Sequence, residues 1–181
     1  MTLEEVNIHN IDIAIDIQHS IFPLENGSQD LIDSINNNIP KHQFLSKYYL
    51  AKYNNEYIGI CGLYAYNDYP TDAWLGWFGV IEKERNKGYG TNILKKCFLK
   101  AKKQGFENIR LYTDEIDNAN AIKLYKKFGM IHEIYNNPKD IHFEIGNTLI
   151  FSKNLYNKPV DLWNNKYLYL DIHDENNNQI K

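Results

Sequence analysis

The stretch from Trp77 to Gly105 constrains the chain most, because it reads as a strand, a glycine turn and a helix in direct succession. Ile93, Leu94, Cys97, Phe98 and Ala101 fall at i, i+1, i+4, i+5 and i+8, which is one apolar stripe of a helix. Lys95, Lys96, Lys100, Lys102 and Lys103 lie mostly off that stripe, and Gly105 suits a C-terminal cap. Gly88 and Gly90 bracket the turn before the helix, where a backbone free of Cβ atoms can take positive φ and present its N–H groups. Such a turn feeding a helix N-terminus is a ready anion site; the same two glycines would also suit a tight connection that binds nothing. Two phosphate motifs are excluded by spelling. There is no Gly-x-x-x-x-Gly-Lys-Ser/Thr, and Gly-x-Gly-x-x-Gly fails because Ile93 stands at its third glycine.

The remaining sequence supplies enough material to bury this unit. A chain of 181 residues with 43% hydrophobic and 14% aromatic content is one ordinary domain, able to bury roughly two-thirds of its unfolded surface. A net charge of −3 argues against nucleic acid or an anionic membrane as partner, since both call for a basic field, and it permits a cationic one. Cys61 and Cys97 have no metal-ligand spacing and read as small core residues. The acidic start Met1-Thr2-Leu3-Glu4-Glu5 resembles no secretory signal, and no run of 18 apolar residues occurs, so a cytoplasmic protein is expected.

In chain order, residues 2 to 6 suit a short strand and Ile8 to Ile21 a broadly buried helix ended by Phe22-Pro23. Ser28 suits the N-cap of a second helix, Gln29 to Asn36. Residues 47 to 53 and 56 to 66 read as a hairpin about Asn54-Asn55, a residue type that tolerates left-handed positions. A strand from Ala73 to Ile81 precedes the glycine turn, and another, Asn108 to Thr113, follows the long helix. Ala121, Ile122, Leu124, Tyr125 and Phe128 then share a helix face closed by Gly129. Residues 130 to 136 and 147 to 155 read as two closing strands. Tyr167 to Ile172 alternates well enough for an extra strand or a docking segment, residues 174 to 181 are polar enough to fray, and residues 159 to 172 are where a homodimer contact is to be sought.

The glycine turn gains meaning from a second segment. Arg85-x-x-Gly88-x-Gly90, between a strand and a helix, resembles the acyl-CoA pyrophosphate motif of the GNAT acetyltransferase superfamily. Asn118-x-x-Ala121-Ile122-x-Leu124-Tyr125-x-Lys127-x-Gly129-Met130 resembles the second signature of that family and follows in the expected order. The likeness is strongest over residues 73 to 135 and extends in element order over 1 to 155. It implies an α/β (mixed α+β) GNAT-type fold: a central, mostly antiparallel sheet of about six to seven strands with a splayed parallel strand pair, flanked by about four helices. The acetyltransferase domain would span residues 1 to 156, with 157 to 181 as an extension. The implied activity is transfer of acetyl from acetyl-CoA to a primary amine, on a small molecule or a peptide, by direct attack in a ternary complex. Neither a metal nor a covalent enzyme intermediate is needed. A GNAT-fold module that senses acyl-CoA without efficient catalysis is the alternative.

The resemblance also assigns residues. Arg85, Asn86, Lys87, Gly88, Tyr89, Gly90 and Thr91 would cradle the pyrophosphate at the positive end of the helix dipole. The pantetheine arm would run along Phe78, Gly79 and Val80, with the Val80 N–H stabilising the tetrahedral oxyanion. Asn118 would contact the CoA while also suiting a helix N-cap. Tyr125 would serve as the acid at the CoA sulfur, although the same tyrosine suits a core aromatic. A phenol of pKa about 10 facing a thiolate of about 8.5 acts more through a hydrogen bond than through full proton transfer. Where histone-type relatives place a basic glutamate, counting back from Arg85 reaches Trp74. The base candidates are therefore Asp72 on the same strand, Asp114 and Glu115 after the next, and Glu25 in the first inter-helix loop, unless a water chain removes the proton. Glu25, Tyr64, Trp74, Trp77 and Glu115 would border the acceptor pocket, where aromatic faces and carboxylates suit a cation, although most of these aromatics also suit packing.

Overall fold

The computed structural model describes residues 1–116, 118–140 and 146–170. Among them are seven strands, four α-helices and one short 3-10 turn, in two compact units, Met1–Ile109 and Arg110–Lys181.

In the first unit β1 (Thr2–Glu5) pairs antiparallel with β2 (Gln43–Tyr53), from Thr2 opposite Lys52 to Glu5 opposite Tyr49. β2 and β3 (Glu56–Tyr66) form the expected hairpin, closed by Tyr53 opposite Glu56. Asn54 and Asn55 take φ values of +48° and +64°, the two consecutive left-handed residues that a type I′ connection requires. β4 (Asp72–Val80) pairs antiparallel with β3, and β3 is buried from Ile58 to Tyr66, as befits a strand covered on both faces. β5 (Asn108–Asp114) sets off beside β4 and parallel to it. The Glu107 and Asn108 N–H groups donate to Thr71 O at 2.9 and 3.2 Å, and Asn108 Nδ2 donates to Asp72 Oδ1 at 2.8 Å.

Helices α1 (Ile11–Ile21) and α2 (Ser28–Asn36) cover this sheet with a core of Val6, Ile11, Ala14, Leu31, Leu50 and Ile60. α1 starts three residues later than its isoleucines suggest. Asn10 Oδ1 accepts from the Asn7 N–H at 2.7 Å and Asn7 Oδ1 from the His9 N–H at 2.9 Å, so residues 7 to 10 are spent on a turn. Ile8 and Ile13 are left exposed, because the buried face follows Ile11, Ala14 and Gln18. Ser28 is not the α2 cap. Gly27 holds that position, where a Cβ would stand 2.6 Å from the Trp77 ring. α3 (Tyr89–Lys103) buries Ile93, Leu94, Cys97 and Ala101, with Phe98 half-buried. It ends as expected at Gly105, where the Phe106 and Gly105 N–H groups donate to Ala101 O and Lys102 O at 3.2 and 3.1 Å, the pairing of a Schellman cap.

In the second unit β7 (Thr148–Asn154) lies between β5 and β6 (Ile131–Tyr135), with β6 and β7 antiparallel from Ile131 opposite Ser152 to Tyr135 opposite Thr148. α4 (Ala119–Lys127) closes on Gly129, with the Met130 N–H donating to Tyr125 O at 3.2 Å. Residues 166–170 belong to no strand, which corrects the described part of the extra strand; residues 171 to 181, including the expected frayed end, lie outside the described residues. The segment is held by carboxylates instead. Glu133 accepts from the Asn164 N–H at 3.1 Å and from the Trp163 N–H, and buried Asp140 accepts from the Leu168 and Leu170 N–H groups at 2.8 and 2.7 Å. Trp163 is fully buried, with the Arg110 guanidinium 5.4 Å from its ring and donating to Asp161 O at 2.9 Å.

The seven strands, mostly antiparallel with one parallel pair, and the four helices are the mixed α/β architecture expected.

Candidate functional site

At the C-terminal half of β4 the pairing with β3 slips. Gly62 faces Gly76 whereas Ile60 faces Gly79, so two residues of β4, Trp77 and Phe78, oppose Cys61 alone, the count of a β-bulge. Trp77 occupies the bulge at φ +40°. A bulky side chain in the left-handed region is an outlier costing roughly 1–3 kcal/mol and persists only where its surroundings fix it. Those surroundings are specific. The indole Nε1–H donates to Asp30 Oδ2 at 2.8 Å, the ring meets Phe22 edge to face at 5.2 Å, and Gly27 leaves it room.

After β4, the turn Glu82–Glu84 leads to Arg85 in extended conformation and Asn86 at φ +61°. The N-cap of α3 is Gly88 at φ +81°, where an added Cβ meets nothing within 4 Å. Conformation rather than space therefore demands glycine there. α3 has no side-chain cap and no acid in its first turn. The N–H groups of Tyr89, Gly90 and Thr91 lie at the positive end of a 15-residue helix without partners inside that helix. Arg85 does not project its whole guanidinium outward, because its Nε donates to Val80 O at 3.1 Å and ties the turn back to the strand. Lys87 pairs with Glu84 at 3.2 Å. The Tyr89 ring lies 5.0 Å from Tyr53, and desolvation first, then Tyr53, raises its phenol above the ordinary value.

The expected acceptor-side aromatics divide. Trp74 and Tyr64 are buried and stacked at 6.2 Å, with Tyr66 edge-on to Trp74 at 5.8 Å, so they belong to the core of the first unit. Trp77 alone keeps a half-buried position against the α1–α2 corner. Exposed Glu25 sits in that corner, its carbonyl accepting from the buried Gln18 Nε2 at 3.3 Å. Asp72 is buried and bonded to Asn108 at the opposite end of β4 from Val80, about 25 Å away along an extended strand.

In the second unit Asp114 is a turn carboxylate: Oδ1 accepts from the Ile116 N–H at 3.0 Å and Oδ2 from Asn118 Nδ2. Asn118 occupies the α4 N-cap position, its carbonyl accepting from the Ile122 N–H at 2.9 Å, but its side chain is spent on Asp114 and not on the helix. Glu115 is exposed and accepts from Asn147 Nδ2 at 3.0 Å. Tyr125 is the buried residue of α4, 5% exposed, with its ring 5.3 Å from Phe151. Among the described residues no group of three or more His, Cys, Asp or Glu side chains is placed to hold a metal ion, and no helix is long and apolar enough to cross a membrane.

The model of the Acetyltransferase (GNAT) family matches residues 13–130. The chain belongs to the GNAT acetyltransferase family. Solved structures share the GNAT fold. The ribosomal-protein-S18-alanine N-acetyltransferase of Escherichia coli is 16% identical with a TM-score of 0.65, over 90% of this chain and 98% of that one. The spermidine N-acetyltransferase of Vibrio cholerae, in complex with CoA and spermine, is 14% identical with a TM-score of 0.67, over 86% and 95%. A GNAT family acetyltransferase from Elizabethkingia anophelis with acetyl-CoA bound is 25% identical with a TM-score of 0.58, over 77% and 88%. Among curated proteins no sequence matches this GNAT chain.

The bulge at Trp77 and its partners Asp30, Phe22 and Gly27 escaped sequence reasoning. No local pattern marks a left-handed tryptophan, and Asp30 precedes it by 47 residues.

Proposed function

We propose that this GNAT chain transfers the acetyl group of acetyl-CoA to a primary amine by direct attack in a ternary complex. The observation that carries the reading is the N-terminus of α3, where Gly88 in the left-handed region leads into three N–H groups with no acid in the first turn of the helix and no side-chain cap. A pyrophosphate suits that place on charge and hydrogen-bonding grounds. Phe78, Gly79 and Val80 then serve the pantetheine arm, and the Val80 N–H serves the oxyanion. Tyr125 hydrogen-bonds the departing sulfur, and Asn118, already fixed by Asp114, steadies the nucleotide side. Residues 1 to 156 form the catalytic domain and 157 to 181 its extension.

Solvent water or the exposed Glu25 of the α1–α2 corner removes the amine proton in this scheme. Asp72 is too far along β4, and Asp114 and Glu115 are committed to the β5–α4 turn and to Asn147. That commitment of every expected strand carboxylate also favours the second reading, a GNAT module that binds acyl-CoA without efficient turnover. A thiol-release assay separates the two. With acetyl-CoA and a panel holding spermidine, spermine, amino acids, aminoglycosides and an alanine-terminated peptide, an acetyltransferase gives thiol release matched by N-acetyl product with at least one amine. The sensor gives CoA binding with no release above hydrolysis.

A further inference from the structure

The α1–α2 corner packs against the strand that the proposed function uses for the thioester, and a side-chain hydrogen bond joins the two. Asp30 lies in the first turn of α2, where the helix dipole favours the carboxylate, and it accepts from the Trp77 indole at 2.8 Å. The ring it holds is the one at the bulge. Phe22 abuts it edge to face at 5.2 Å, and a Cβ on Gly27 would stand 2.6 Å from it, so α1, the corner and α2 all hold the same side chain. Releasing the indole would let Trp77 leave φ +40° and let the register at Gly79 slide back toward regular pairing.

We propose that Asp30 is a positioning residue: by holding the Trp77 indole it fixes the β4 bulge and, through it, the backbone of Phe78, Gly79 and Val80. Its effect on rate rests on the acetyl-transfer reading above, whereas its effect on the backbone does not. Asp30 touches no reacting atom in this account. What it sets is the direction of the strand N–H and C=O groups, and a misplacement of well under an ångström is enough to slow a reaction that depends on alignment.

The test combines kinetics with backbone amide spectra of Asp30→Ala, Asp30→Asn and Trp77→Phe. Asp30→Ala is expected to lower kcat about tenfold while the Kd for free CoA stays within about twofold, since the helix N-terminus that holds the pyrophosphate is untouched. Asp30→Asn keeps an oxygen acceptor and is expected to recover most of the rate. Trp77→Phe keeps a ring but no N–H and is expected to match Asp30→Ala, with no further loss in the double variant, as for two ends of one interaction. In the spectra the amides of Phe78 to Val80 are expected to move in Asp30→Ala while those of Ala73 to Leu75 stay. A merely stabilising bond would lower the melting temperature and leave kcat and those amides unchanged, and that result overturns the proposal. So does an Asp30→Asn as slow as the alanine variant, which would assign the effect to the charge itself. If the wild-type protein acetylates no amine, the reading of the function fails and the amide shifts alone decide the positioning role. If Asp30→Ala does not fold, Trp77→Phe carries the same comparison.

Discussion

Tyr125 is asked to do two things, and they make different demands on its hydroxyl. Its ring packs on Phe151 with 5% of the residue exposed, which Phe would reproduce; the hydrogen bond to a departing thiolate would be lost. Tyr125→Phe is therefore expected to lower kcat about 100-fold, the range for removal of an acid, with CoA binding nearly unchanged. Unchanged turnover would leave Tyr125 as packing alone. At this scale the sequence was legible wherever function rests on a local pattern. Gly88 and the N-cap position of Asn118 follow from their places beside helices. The side-chain commitments were not legible: Asn118 to Asp114, Arg85 Nε to Val80 O, and Asp72 to Asn108 are made by tertiary geometry. Which of Trp74, Tyr64 and Trp77 pack in the core was not legible for the same reason, since an aromatic on a strand reads alike on a core face and a pocket wall.

Elements whose ends are set by backbone conformation were the easiest to read. The β2–β3 hairpin followed from Asn54-Asn55, and replacing both by alanine, which resists φ values of +48° and +64°, is expected to cost about 1–2 kcal/mol per residue in chemical denaturation. The Gly88→Ala variant tests the other turn. Space is open around an added Cβ, so any loss reports conformation: about 1–2 kcal/mol of stability, together with weaker CoA binding as the α3 N-terminus turns away. Undiminished CoA affinity in that variant would separate the turn from the ligand. Elements whose limits depend on side-chain competition were read less well. Asn7 and Asn10 delayed α1 through mutual turn bonds, Gly27 displaced Ser28 from the cap of α2, and β4 concealed a bulge inside an unbroken apolar run.

For the molecule as a whole, two buried phenols tie stability to alkaline pH, one in each unit. Tyr49 is 1% exposed, and burial first, then Glu5, pushes its phenol up to about 12. Burial and the bond to Asp140 raise Tyr135 as well. The native state keeps both protonated, so their contribution is complete below pH of about 10, where the unfolded tyrosine titrates. It is lost as pH rises from 10 toward 12, because the unfolded chain gives up these protons first. Denaturant midpoints are expected to fall across that window, and Tyr49→Phe is expected to flatten the fall. The fold class was legible through the two segments, Arg85 to Gly90 and Asn118 to Met130, that resemble the GNAT signatures, because each is a contiguous run whose spelling survives without knowledge of the tertiary structure. The acceptor was not legible, because no contiguous run of the sequence spells a surface that selects one amine. The claim on which the account rests is that the N-terminus of α3 receives the pyrophosphate of CoA. An amide-resolved titration tests it most directly, with CoA in one arm and pantetheine, which lacks the pyrophosphate, in the other. The account predicts that CoA moves the amides of Gly88, Tyr89, Gly90 and Thr91 and that pantetheine leaves them in place; CoA binding that leaves these four amides unmoved, or a response to ATP or NAD but none to CoA, would contradict it.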